Sequence, residues 1–294
     1  MNEYYDRAKK FTHSTTGKWL QIIALLVMVM GAAYMGWNQL IQPEEDAFII
    51  AVNPADDAAS TDELYAPFVA HLSESMHMPV KMLPVADYAA VVEALKYGHA
   101  DVARLGVFSY VMATEEADVE AILVGIKQKT GTSYRSYIIT QPGVTDLNGA
   151  TFAYVDVGSG SGYLAPSVYI EQEGIELGEV MFAGTHPAVI MAVKNGSVTA
   201  GAVADNRYDY AIAEGVIAED ELQIFWVSDP IPNSPWVVRK DMDPELRQRV
   251  VDAFVSMPEE VVLAAGVTEI GYAPASDEDY EYARELQMYL EGNK

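Results

Sequence analysis

From residue 48 onward, short apolar runs of strand length alternate with segments whose apolar residues recur every three or four positions. Phe48-Ile-Ile-Ala-Val52 predicts a strand, residues 62–76 a helix, and Val80-Lys-Met-Leu83 a second strand, which is βαβ rhythm. Asp87 and Tyr88 open a helix over 89–97 with Val91, Val92 and Leu95 on one face. A short strand over 102–105 is broken by Gly106; a helix over 108–114 and strands over 121–126 and 136–140 complete a first unit. After the turn Gln141-Pro-Gly143 the rhythm restarts. Strands over 151–155, 180–182, 200–203 and 222–227 alternate with helices over 163–173, 187–195 and 208–214.

Three prolines within 229–235 then stiffen a crossing, followed by a strand over 236–239 and helices over 244–257 and 279–290. The pattern predicts an α/β protein of two lobes, 47–140 plus 236–294 and 141–228. Ligands of open α/β sheets sit at strand C-terminal ends, where helices present their N-termini, so a cleft between the lobes is the expected site.

Ahead of this body, residues 19–37 carry no strongly polar side chain except Gln21. Arg7, Lys9, Lys10 and Lys18 precede the run, and Pro43-Glu-Glu-Asp46 follows it. As one apolar helix it spans about 27 Å, near the hydrocarbon thickness, with Trp19 and Trp37 at its ends. It reads as a signal peptide or a transmembrane anchor. The length of the run favours an anchor, and Gly31-Ala-Ala33 is a weak cleavage site. Residues 1–18 are then a cytoplasmic basic region, 38–46 a linker, and the body extracytoplasmic.

Composition narrows the function. The chain has no cysteine, which rules out disulfides, thiolate metal sites and a lipid-modified cysteine anchor. Its net charge is −25, and the first forty residues hold more basic than acidic groups, so the body is more acidic still. That balance argues against nucleic acid as a partner. It does not forbid an anion inside a cleft, because surface charge is screened over about 8 Å at physiological ionic strength.

The strongest chemical signal is Asp156-Val-Gly-Ser-Gly-Ser-Gly-Tyr163, a glycine-serine loop between an apolar strand and a helix. Glycines let successive N–H groups converge, serine hydroxyls add donors, and the helix dipole favours negative charge. Ser159, Gly160 and Ser161 are therefore candidate oxyanion contacts. Neither serine lies in G-x-S-x-G, so a nucleophile elbow is absent. Gly160-Ser-Gly-Tyr-Leu-Ala165 fits a dinucleotide fingerprint, but a nicotinamide cofactor is not expected outside the cytoplasm.

His186 opens the next strand-to-helix turn, and Asp205 follows the strand over 200–203. Without the elbow, Ser, His and Asp read as ligand contacts rather than a hydrolytic triad. Tyr88, Phe108 and Ser109 fall at loop-to-helix junctions of the first unit and could wall the cleft. Arg104 and Arg135 could each pair with an oxyanion or neutralise neighbouring carboxylates. The five histidines form no H-x-x-x-H or H-E-x-x-H pair, so neither a metal nor another cofactor is expected.

Taken together, residues 48–286 resemble the phosphonate/phosphite/phosphate-binding component of ABC importers, a type II periplasmic binding protein. The likeness rests on Asp87-Tyr88, Ala100-Asp-Val-Ala-Arg-Leu-Gly-Val-Phe-Ser-Tyr110, Tyr134-Arg-Ser136 and the segment from Phe152 to Pro166 around the glycine-serine loop. Ala183-Gly-Thr-His186, Ala192-Val-Lys-Asn-Gly196 and Pro230-Ile-Pro-Asn-Ser-Pro-Trp-Val-Val-Arg239 continue it in order.

That family's loop usually reads Ser-Thr-Ser-Gly followed by an aromatic, and with the histidine it holds phosphonate oxygens. The resemblance makes Ser159, Ser161 and His186 the expected ligands. Gly160, at the Thr position, keeps an N–H and loses one hydroxyl, worth about 1 kcal/mol. Ser234 stands where aminoalkyl-phosphonate binders carry a carboxylate, and Leu105 where they carry an aromatic. Both changes point away from aminoethylphosphonate and towards phosphite, methylphosphonate or another small oxyanion. The implied function is non-enzymatic: lobes hinge shut on the anion and deliver it to a membrane permease. An anchored sensor or adaptor on the same fold is the alternative, and an enzyme a third.

Overall fold

The computed structural model describes residues 47–53, 61–265 and 269–292. The expected membrane segment at 19–37, with its flanking basic region and linker, lies outside them. Among the described residues no helix is long and apolar enough to cross a membrane.

The chain opens with β1 (Phe48–Val52), α1 (Thr61–Met76), β2 (Val80–Leu83) and α2 (Tyr88–Lys96). Next come β3 (Val102–Arg104), α3 (Val107–Glu116), β4 (Val119–Lys127), β5 (Ser133–Tyr134) and β6 (Ser136–Thr140). β7 (Phe152–Tyr154) leads through a π-turn at Gly160–Leu164 into α4 (Ala165–Gln172). Then follow β8 (Val180–Phe182), α5 (His186–Lys194), β9 (Ala200–Ala204), α6 (Asp205–Ala213) and β10 (Gln223–Val227). The return is β11 (Ile231–Pro232), β12 (Pro235–Arg239), α7 (Pro244–Val255), α8 (Glu259–Ala264), β13 (Glu269–Pro274) and α9 (Glu281–Gly292).

Local chemistry accounts for several boundaries. Asp87 caps α2 by accepting the Ala90 N–H, and Thr185 caps α5 by accepting that of Ala188. Asp243 caps α7, where Pro244 takes the first helical position, which needs no N–H donor.

Two sheets form. The first has the order β13-β4-β12-β3-β1-β2, with β1 parallel to β2 and β3, and β12 antiparallel to β3 and β4. Phe68, Trp236, Phe254 and Tyr272 cluster on one face of it, their rings 4.7 to 6.2 Å apart. All four are buried, so they form the aromatic centre of that core. The second sheet has the order β10-β6-β9-β7-β8. The chain passes between the sheets twice, and the two passages pair with each other as β5 and β11, Tyr134 opposite Ile231.

Three features depart from the sequence expectation. The strand at 136–140, expected to close the first unit, pairs instead with β9 and β10 in the second sheet. Its apolar run signals burial but carries no information about its partner. The helix expected from residue 163 begins as a π-turn at Gly160, where two glycines relax the backbone restraint. Finally, β13 and α8 carry too little periodicity to be anticipated.

Candidate functional site

The glycine-serine loop is pinned by its own side chains. Asp156 Oδ1 accepts the Gly158 N–H at 2.8 Å, and Ser159 Oγ accepts the Gly162 N–H at 2.9 Å. A Cβ at Gly162 would lie 2.5 Å from Val155, so the turn closes only with glycine there. Loop and first-sheet elements also meet directly. The Gly158 carbonyl accepts the Ser109 N–H at 3.0 Å and the Ser109 hydroxyl at 3.1 Å. A Cβ at Gly106 would stand 2.7 Å from that same carbonyl oxygen.

Beside this contact lies a cavity of about 40 Å³. One water needs ~10–15 Å³, so there is room for a compact polar group. Asn53, Arg104 and Lys127 at the ends of β1, β3 and β4, Glu269 at the start of β13, and Tyr88 and Gly106 form one wall. Ser159, Gly160, His186, Ala204, Asn206 and Arg207 form the other, and Tyr134, Asn233 and Ser234 come from the crossings. This is the strand-end, helix-start position that open α/β sheets reserve for ligands.

His186 sits in the first turn of α5. Its Nδ1 lies 3.2 Å from the Ala204 N–H and accepts it, which leaves Nε2 to carry the hydrogen. Burial, with Arg207 and Lys127 nearby, pulls its pKa down to about 3. His186 is therefore a neutral donor, not the protonated one that would add charge.

Six sequence candidates thus line one cavity: Tyr88, Arg104, Ser159, Gly160, His186 and Ser234. The other five sit around it. Ser161 is buried, and its carbonyl accepts the Ser136 hydroxyl at 2.6 Å. Asp205 Oδ2 accepts the Arg135 N–H at 2.9 Å while Oδ1 accepts the Asn206 N–H at 2.6 Å. That carboxylate ties α6 to the crossing strand. Arg135 reaches the Ser228 carbonyl at 2.5 Å and so joins the two passages. Phe108 stacks on Tyr163 at 6.3 Å, and Ser109 holds Gly158. At Gly160 a Cβ would meet Tyr134 Oη at 3.2 Å and Val107 Cβ at 3.1 Å. A side chain there fits only if those neighbours give way.

Sequence reasoning missed most of the charged wall. Arg104 donates to Glu269 Oε1 at 2.5 Å, and both side chains are largely buried. Glu269 has room because β4 carries Gly125 two residues before its partner Lys127; a Cβ at Gly125 would lie 2.3 Å from Glu269 Cγ. Lys127 Nζ lies 4.6 Å over the Tyr134 ring. Burial lowers the Lys127 pKa to about 8, against the pull of Glu269 and Asp205. Burial would push the Glu269 carboxyl up, but Arg104, Lys127 and Arg207 outweigh it and hold the group below its usual range. Among the described residues the cavity wall therefore carries three cations, Arg104, Lys127 and Arg207, and the carboxylate of Glu269. Only a charge at the end of an apolar strand, as at Lys127, could have flagged this from sequence. Among the described residues no group of three or more His, Asp or Glu could hold a metal ion.

The two-sheet architecture is that of type II periplasmic binding proteins. A phosphonate-transporter binding component from Pseudomonas aeruginosa superposes with a TM-score of 0.76 at 18% identity, over 83% of this chain and 86% of that one. The structure of PhnD1 from Prochlorococcus marinus in complex with methylphosphonate matches with a TM-score of 0.74 at 18% identity, over 83% and 98%.

Residues 50–280 match the family model described as ABC transporter, phosphonate, periplasmic substrate-binding protein, and the chain belongs to that family. It is thus an extracytoplasmic substrate-binding protein of an ABC importer, in a family of binders rather than enzymes. The phosphate-import protein PhnD of Mycolicibacterium smegmatis is 27% identical over 90% of this chain and 92% of its own length. The phosphonates-binding periplasmic protein of Escherichia coli is 21% identical over 85% and 78%.

Proposed function

We propose that the chain binds a small, fully anionic phosphorus oxyanion between its two lobes, closes on it and hands it to a membrane permease. The observation that carries this reading is the cavity itself. It unites the Ser159–Gly160 turn, the neutral His186 donor and a net cationic wall, in a chain whose overall charge is −25. Oriented donors on one side and fixed positive charge on the other are what a tetrahedral anion requires. Ser159, Gly160, His186, Tyr88 and Ser234 are the proposed contacts from the sequence set. Ser161, Asp205, Arg135, Phe108 and Ser109 support them. The β5–β11 ladder is the proposed hinge, since both passages between the sheets run through it, and a ligand touching both lobes stabilises the closed form by its differential contacts.

Calorimetry on the full-length chain with phosphate, phosphite, methylphosphonate and aminoethylphosphonate tests the reading. Saturable heat is expected from at least one of the first three, with aminoethylphosphonate weakest. No saturable heat from any of the four removes the phosphorus assignment and leaves the fold. We propose further that residues 19–37 anchor the protein to the membrane. Recovery of the mature chain, shortened at its N-terminus, in the soluble extracytoplasmic fraction would show cleavage instead.

A further inference from the structure

Lys127 is placed differently from the other charges of the cavity wall. Arg104 is held by Glu269 in an ion pair, whereas Lys127, the residue that Glu269 faces in the β4–β13 register, does not join it. Its Nζ lies instead 4.6 Å from the centre of the Tyr134 ring. Tyr134 is 8% exposed and belongs to the β5–β11 ladder, so the surface under the ammonium is fixed. Among the described residues the Lys127 side chain forms no ion pair and donates no hydrogen bond. A ring face attracts an ammonium without accepting a strong hydrogen bond from it. The three donors of the ammonium are therefore left for an occupant of the cavity that Lys127 lines.

The charge of Lys127 is set by what faces it. Desolvation opposes the ammonium most; Glu269 on β13 and Asp205 on α6 favour it, and Arg207 on α6 and Arg104 on β3 oppose it. Tyr134 and His186 add no charge, because burial pushes the phenol pKa up and the imidazole pKa down. The balance leaves the amine titrating at about 8. An anion beside it favours the charged form and raises that value.

Resting on the phosphorus-oxyanion reading, we propose that the Lys127 ammonium contacts the bound oxyanion directly, and that binding draws a proton from solution onto the amine, so that capture of the anion is coupled to proton uptake and weakens in alkaline solution. The sign follows from linkage. Well below about pH 8 the amine already holds its proton and binding takes up almost none. Above it the unliganded protein has lost the charge, and each further pH unit lowers affinity by up to about tenfold until the liganded lysine titrates in turn.

The test is calorimetry on the full-length chain with phosphate, phosphite and methylphosphonate at about pH 8.5 and about pH 9.5, where the second ionisation of each is already complete. For any of them that binds, affinity is expected to fall roughly five- to tenfold across that step. Titrations at about pH 8.5 in two buffers of different ionisation heat are expected to show uptake of between about a half and one proton per anion. In Lys127→Met, affinity at about pH 7 is expected to fall at least about tenfold, and both pH effects to vanish. Lys127→Arg, whose guanidinium stays charged, is expected to keep affinity at about pH 7 within roughly tenfold of wild type and to lose both pH effects. Absence of proton uptake in the wild type overturns the proposal, as does uptake that persists in either variant, or a Lys127→Met that binds as tightly as wild type. Should Lys127→Met not fold, Lys127→Arg decides by the same readouts. Absence of binding by all three anions at about pH 7 instead overturns the reading on which the proposal rests.

Discussion

The two walls of the cavity are built on opposite principles. On the loop side, Arg207 apart, the groups are neutral: Ser159, Gly160 and the His186 ring occupy helix starts, Ser159 bonded to the Gly162 N–H and His186 to that of Ala204. On the first-sheet side they are charged and dispersed, with Arg104, Lys127 and Glu269 arriving from three different strands. Buried charge is expensive unless compensated, whereas neutral donors at a helix start are cheap to bury. Errors on the charged wall should therefore unfold or empty the site, while errors on the neutral wall should only loosen it.

The sharpest way to break this contrast is Arg104→Ala, which leaves the Glu269 carboxylate buried without its partner. A loss of about 3–5 kcal/mol in unfolding free energy is expected, readable by denaturant titration, and oxyanion binding should disappear with it. A loss below about 1 kcal/mol would show that the ion pair is dispensable and the contrast false. Next in size is Gly106→Ala, where the new methyl meets the Gly158 carbonyl and the Tyr88 ring. Overpacking of this kind costs about 1–3 kcal/mol. Because it falls on the contact between the walls, affinity should weaken roughly 10- to 100-fold while the melting temperature moves little.

On the neutral wall, Ser159→Ala removes the acceptor of the Gly162 N–H and one hydroxyl. About 1 kcal/mol of stability and roughly tenfold in affinity should follow, measured by thermal melts and calorimetry. The smallest effect is a pH dependence. His186 is held neutral in the folded chain down to about pH 3 but takes up a proton near pH 6.5 when unfolded. Its contribution is thus intact above pH 6.5 and lost progressively as pH falls towards 3. The fall in melting temperature between pH 7 and pH 4 should be shallower in His186→Gln than in the wild type. Equal slopes would mean that the ring is not buried.

The same contrast explains what could be read before the structure. The glycine-serine loop is contiguous, so its spacing alone announced donors at a helix start, and His186 followed from its place at the next such turn. The strand-helix alternation likewise exposed most elements, since periodicity is a local property. Partner choice is not local, which is why Ser136–Thr140 was expected in the wrong sheet. Glu269 was invisible for the same reason. Its meaning depends on the register that sets it opposite Lys127 and on the missing Cβ of Gly125 two residues earlier. Asp205 and Arg135 show the reverse situation. Their charges suggested ligand contacts, yet their hydrogen bonds are to main-chain atoms, Asp205 to Arg135 and Asn206 and Arg135 to Ser228.

The bonds from Ser109 to the Gly158 carbonyl have a kinetic consequence. They join the two walls without involving the ligand, so they contribute equally whatever anion is enclosed. On the closure proposed above, an anion in so small a cavity leaves only when the walls part, and parting them breaks both bonds. Residence time is then set partly by a clasp indifferent to cargo, and selectivity by the cavity behind it. How long the protein holds an anion and which anion it holds would be separately adjustable traits.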